Sequence, residues 1–197
     1  MVFFSRMSST LTLSQTLFPN RTVARDILLV TGASLLVAAL AQVSIPLPFT
    51  PVPVTGQTLG VLLVGIALGS RQAALAMALY VLEGAIGLPF FAGGKSGLGG
   101  PTTGYLLAFP IAAFFTGWLA ERGWDRKPLT AAMAMLSGSL IIFGLGASWL
   151  SVYTGGIAKA FQLGVLPFIP GDLIKTSIAS GVLPLTWSLL GKRSHQE

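Results

Sequence analysis

The sequence contains no cysteine and a single histidine, His195. The first absence excludes disulfides, thiolate metal sites and Cys nucleophiles. The second removes most imidazole chemistry, because His195 stands third from the end. Charge is scarce as well. Asp, Glu, Lys and Arg make up 9% of the 197 residues, whereas a soluble domain carries about 25% to cover its surface. Hydrophobic residues reach 53%, with a mean hydropathy of +0.79. That balance excludes a soluble globular domain and a disordered chain alike. A small, all-α polytopic membrane protein remains.

Apolar runs of about 18–20 residues mark membrane-spanning helices. Six are expected: Ile27–Ile45, Gln57–Gly69, Arg71–Leu88, Pro101–Ala120, Leu129–Leu150 and Pro170–Leu190. The second is short, so it either begins earlier, inside the Pro-rich stretch before it, or thins the bilayer locally. Pro and Gly punctuate the connections, as in Pro46–Pro53 and Gly93–Pro101. This division leaves an N-terminal arm over 1–26, a six-helix transmembrane domain over 27–190 and a tail over 191–197.

Basic residues orient the chain. Arg6, Arg21, Arg25, Arg71, Arg122, Arg126, Lys127, Lys192 and Arg193 fall in one set of loops, nine in all, against Lys95 and Lys159 in the other. Both termini are therefore expected in the cytoplasm. The net charge of +6 is a topology signal; its residues are scattered at helix ends without the clustering a nucleic-acid patch needs. The first 26 residues are rich in Ser and Thr and lack an apolar core, so they read as a loose or interfacial arm and not as a cleaved signal peptide.

The outer connections are long, nearly uncharged and dense in Pro, Gly and Thr. Non-helical backbone at membrane depth must be satisfied by protein or line a cavity. The segments Thr50–Thr58, Leu88–Ala92 and Val165–Gly171 are apolar enough to fold into the bundle, either roofing a pocket or simply capping the helices. Ionisable residues inside spans are costly and usually functional. Asp172 and Lys175 lie at i and i+3 on one face of the last helix. Structurally, Asp172 caps that helix and Lys175 snorkels; functionally, the two hold a polar ligand beneath the lid. Glu83, in the third helix, needs a partner such as Lys95 or Lys175. Tyr80, Tyr105, Trp149 and Tyr153 offer apolar surface with a polar edge.

Two motif look-alikes fail on context. Gly94-Lys95-Ser96 lacks the leading glycine, the preceding strand and the cytoplasmic exposure of a phosphate loop. Gly94-Lys95-Ser96-Gly97 matches the Gly-x-Ser-Gly of intramembrane serine proteases, but His195 lies beyond the last helix and cannot activate a serine there.

Thr50–Gly60, Gly84–Pro89, Gly100–Leu106 and Pro167–Lys175 together resemble the BioY family, the biotin-specific substrate-capture (S) components of energy-coupling-factor (ECF) transporters. The resemblance runs from about residue 25 to 190 in order, and Pro170-Gly171-Asp172-x-x-Lys175 is its specific segment. It implies a six-helix S-component fold in the cell membrane that binds biotin near the outer surface and is not an enzyme. It also implies a transmembrane coupling subunit and two cytoplasmic ATPases as partners, with no cofactor in this chain and ATP used by the partners alone. Asp172 then accepts from the ureido N–H groups of biotin and Lys175 donates to a biotin oxygen. Gln57 and Thr55 add polar contacts, Tyr105, Phe90, Phe91 and Phe168 cover the rings, and Glu83 stands as a further pocket candidate. Asn20, the one asparagine, is cytoplasmic on this reading. Where S components often carry Ala-x-x-x-Ala on the first helix for the coupling subunit, this chain has Ser34-x-x-x-Ala38, still small enough for close helix contact. The alternatives are an S component for thiamin or riboflavin, and a membrane-embedded hydrolase, which the missing Cys and His disfavour.

Overall fold

The computed structural model describes residues 10–193. Arg6 and His195, assigned above to the arm and tail, lie outside the described residues. The chain forms a helical bundle: α1 (Leu13–Leu17), α2 (Val23–Gln42), α3 (Gln57–Leu68), α4 (Ser70–Ala85), α5 (Thr103–Ala120), α6 (Pro128–Thr154), α7 (Ile157–Gly164) and α8 (Ile169–Arg193). Between α2 and α3, strands β1 (Ser44–Ile45) and β2 (Val54–Thr55) pair antiparallel, with Ser44 opposite Thr55 and Ile45 opposite Val54.

Each of the six expected runs has its helix, but the lengths differ in an instructive way. Among the described residues, four stretches are long and apolar enough to cross a membrane: Val23–Gln42, Thr103–Ala120, Pro128–Thr154, and α8 to Leu189 taken with α7 before it. Helix α3 has only 12 residues, about 18 Å at 1.5 Å per residue, well short of the roughly 30 Å hydrocarbon core. It does not begin earlier. The β-hairpin folds over its start instead, with Gly56 N donating to Val43 O at 3.2 Å, and Thr50 and Val52 tuck inward while Phe49 stays exposed. A short helix roofed by a hairpin leaves space inside the bundle at one end.

Small residues let the helices approach. A Cβ on Gly117 of α5 would lie 2.5 Å from Ser70 N, and one on Gly65 of α3 would lie 2.9 Å from Ala113 O. On α6, Gly146 takes the Tyr105 ring, 2.3 Å from where a Cβ would sit, and Gly138 takes Leu62 at 2.4 Å. In a medium as apolar as the side chains, this close packing is what holds helices together. Pro110 and Pro184 sit inside α5 and α8, where neighbouring helices tolerate the missing donor.

Two features differ from expectation. From Thr10 the N-terminal arm is docked: Thr10 N donates to Glu121 O at 2.7 Å and Arg126 Nη2 to Leu11 O at 3.0 Å, with Thr12, Leu13 and Ser14 buried. At the same end, Trp187 Nε1 donates to Asp125 Oδ2 at 2.6 Å, and the Arg126 guanidinium stacks on the Trp187 ring at 3.6 Å. Burial pushes the Asp125 carboxyl above the usual carboxylate range, against the lowering effect of Trp187 and Arg126. The second feature is α7, expected as loop. Ala160 and Gly164 face inward, while Ile157 and Phe161 are exposed.

Candidate functional site

A cavity of about 450 Å³ opens under the hairpin, within the size range of small-molecule sites. Four segments wall it: Pro51–Thr58 from the hairpin and the start of α3, Phe91–Gly100, the start of α5 with Tyr105, Leu106 and Phe109, and Pro167–Lys175 at the start of α8. Phe143 of α6 closes the side. The three apolar loops that the sequence offered as lid or cap thus surround one space.

Asp172 sits in the first turn of α8 and is 8% exposed. Its side chain lies at the N-terminal end of the helix, where the first-turn N–H groups have no partner within the helix. Lys175 does not pair with it. Nζ reaches across to the hairpin, donating to Thr55 O at 2.8 Å and Thr58 Oγ1 at 3.5 Å. The ion pairs among the described residues are Arg25–Asp26 and Arg126–Asp125. Asp172 therefore brings to the cavity an acceptor that makes no ion pair among the described residues.

Gln57 and Thr55 hold each other. Thr55 Oγ1 donates to Gln57 Oε1 at 3.1 Å, and Gln57 N donates to Thr55 Oγ1 at 3.2 Å. Behind them, Gln57 Nε2 donates to Tyr80 Oη at 2.6 Å, and Tyr80 Oη donates to Phe90 O at 2.9 Å. This relay ties α3, α4 and the Phe90–Phe91 loop together. Tyr80 is fully buried and supports the site from behind, its ring edge-on to Phe91 and stacked on Phe109.

Tyr105 presents its ring. Its hydroxyl donates to Gly164 O at 2.8 Å, and only glycine leaves room there, since a Cβ on Gly164 would lie 2.2 Å from that oxygen. Phe91 packs over Gly84, where a Cβ would lie 2.1 Å from its ring. Phe168 reaches the cavity from the α7–α8 connection.

Of the expected site residues, Asp172, Lys175, Gln57, Thr55, Tyr105, Phe91 and Phe168 line this one cavity. Glu83 and Phe90 do not. Glu83 accepts a short hydrogen bond from Ser34 Oγ and pairs with neither Lys95 nor Lys175; Phe90 contributes its carbonyl to Tyr80 while its side chain packs on the core. Trp149 and Tyr153 also stay outside, clamping the loop before α5: Trp149 Nε1 donates to Gly100 O at 3.0 Å, and Tyr153 Oη to Gly99 O. The coupling stripe needs correction too. Ser34 is 0% and Ala38 5% exposed, so both turn inward, where Ser34 meets α4, and neither presents a free surface to a partner. Thr58, Phe109, Leu106, Phe143 and Lys95 line the cavity unanticipated. Thr58 lies one residue past Gln57 and was within reach of the same reasoning; the apolar ones carry no signal that separates wall from core.

The family model of BioY matches residues 7–192. The chain belongs to the BioY family. Among similar proteins, the biotin transporter BioY of Rhizobium etli is 38% identical over 168 residues, covering 79% of this chain and 89% of that one. The biotin transporter BioY of Thermotoga maritima is 42% identical over 149 residues, covering 74% and 85%. The crystal structure of the S-component for biotin from an ECF-type ABC transporter superposes with a TM-score of 0.73 at 24% identity, covering 86% of this chain and 95% of that one. The last match shows a shared fold. The match from residue 7 also takes in the docked arm, which the resemblance noted above left out.

Proposed function

We propose that this BioY-family chain captures biotin and mediates its uptake as the substrate-specific subunit of an ATP-driven ECF-type transporter. The chain is a multi-pass membrane protein and not an enzyme. The observation that carries the reading is the cavity itself: Asp172, an acceptor without an ion-pair partner among the described residues, borders an apolar space roofed by the hairpin and walled by Tyr105, Phe91 and Phe168. Biotin has the matching chemistry. Its ureido ring supplies two N–H donors for Asp172, its fused rings suit aromatic walls, and its carbonyl and carboxylate are acceptors for Lys175. On this reading Thr55, Gln57 and Thr58 shape the hairpin side of the pocket. The bundle crosses the cell membrane six times with both termini in the cytoplasm, so the pocket opens outward. Energy comes from two ATPases through a transmembrane coupling subunit, and this chain carries no cofactor.

Uptake of labelled biotin by cells that make the chain together with coupling and ATPase subunits tests the proposal. Accumulation that requires this chain and is lost when the ATPases are inactivated is the expected result. Uptake no greater than in cells lacking the chain overturns it.

A further inference from the structure

Helix α6 carries four serines, and three of them bond the backbone of their own helix: Ser137 to Ala134 O at 2.7 Å, Ser148 to Gly144 O at 2.8 Å and Ser151 to Ser148 O at 2.7 Å. This is the ordinary fate of a hydroxyl in an apolar helix. Ser139 departs from it. It is 4% exposed, and its Oγ has no hydrogen-bond partner. A buried hydroxyl without a partner is costly, so its position calls for a use.

Ser139 faces the seam between α6 and α8, where it and Asp172 border the same apolar groove. It stands close enough to the Asp172 carboxyl to interact with it, without closing a bond of good geometry in the ligand-free chain. Asp172 also borders the main cavity, so its carboxylate has one side toward the ligand space and another toward α6. Thr176, one turn along α8 from Asp172, is likewise buried with its Oγ1 unpartnered. Ser139 thus brings a buried, unpartnered hydroxyl to the Asp172 side of a largely apolar groove.

We propose that Ser139 is a positioning residue for the ligand site, its hydroxyl donating to one oxygen of Asp172 and fixing the other toward the N–H groups of the bound molecule. The inference rests on the biotin reading given above. Contacts of this kind are commonly loose in a free protein and tighten when ligand arrives, and a supporting donor that locks a carboxylate raises the precision of the site. Lys175 cannot fill this role, being held by Thr55 O on the hairpin side.

Calorimetric titration of purified variants with biotin tests it. Ser139→Ala should bind about five- to tenfold more weakly than the parent with a melting temperature equal to or above the parent's. In the Asp172→Asn background the same change should cost less than twofold, because residues acting through one group are non-additive. Ser139→Thr and Ser139→Val, equal in size, give a second comparison: Thr should bind at least threefold more tightly than Val. Ser139→Ala within twofold of the parent, an equal loss in both backgrounds, or Val binding as tightly as Thr overturns the inference and leaves the biotin reading standing. A parent protein that binds no biotin overturns both.

Discussion

Asp172 and Lys175 share one face of α8, yet they take different partners, and the difference assigns their tasks. Lys175 directs two of its three N–H bonds to Thr55 O and Thr58 Oγ1 and so pins the hairpin to α8; the third is left for a ligand oxygen. Asp172 is buried and makes no ion pair among the described residues, which makes it the stronger candidate for recognition. Asp172→Asn keeps the size but loses the charge and replaces one acceptor by a donor. Loss of a charge-assisted hydrogen bond in a dry site costs on the order of 1.5–3 kcal/mol, roughly ten- to a hundredfold in affinity. Biotin titration of the folded variant should show that loss. A variant of lowered melting temperature that binds normally makes Asp172 a helix cap only. Residue types told much at this scale: a lone acid and cation one turn apart in an apolar helix stand out. What could not be read was the partner of each, because Thr55 is 120 residues from Lys175 and only the fold brings them together.

Among the elements, α2 shows how a small-residue pattern can mislead. Ser34 and Ala38 lie one turn apart and form a single stripe, but a stripe has two possible neighbours, a partner chain or the chain's own bundle. Glu83 decides it. A carboxyl in α4 needs a donor, and Ser34 Oγ supplies one, drawing the stripe inward. Ala38→Trp therefore overpacks the α2–α4 seam and should destabilise the isolated protein by about 1–3 kcal/mol, read as a lower melting temperature in detergent. Unchanged melting with lost co-purification of coupling and ATPase subunits contradicts this placement. The helices themselves were legible from hydropathy and from Pro and Gly, with ends displaced by a turn or less in most cases. Two elements were not. Helix α7 is too short and too mixed in composition to register as a span, and the hairpin above α3, a helix whose short length the sequence did show, depends on pairing between Ser44–Ile45 and Val54–Thr55.

At the scale of the whole molecule, the distribution of charge and the position of the cavity make a joint claim. Along the sequence, nine basic residues fall in one alternate set of connections and helix ends and two in the other, and the cavity opens at the end carrying Lys95. In the orientation proposed above, which follows the positive-inside rule, the pocket opens outside the cell. The absence of cysteine makes the check direct. In intact cells a membrane-impermeant maleimide should label Lys95→Cys and spare Lys127→Cys until the cells are opened; the reverse pattern inverts the topology and with it the direction of capture.

The central claim, that this cavity is built for biotin, is tested most directly by titrating the purified protein in detergent with biotin, thiamin and riboflavin in parallel. The account predicts one biotin per chain, bound in the nanomolar range and abolished or greatly weakened by Asp172→Asn, with the other two vitamins leaving no signal. Tight binding of thiamin or riboflavin without binding of biotin would contradict it.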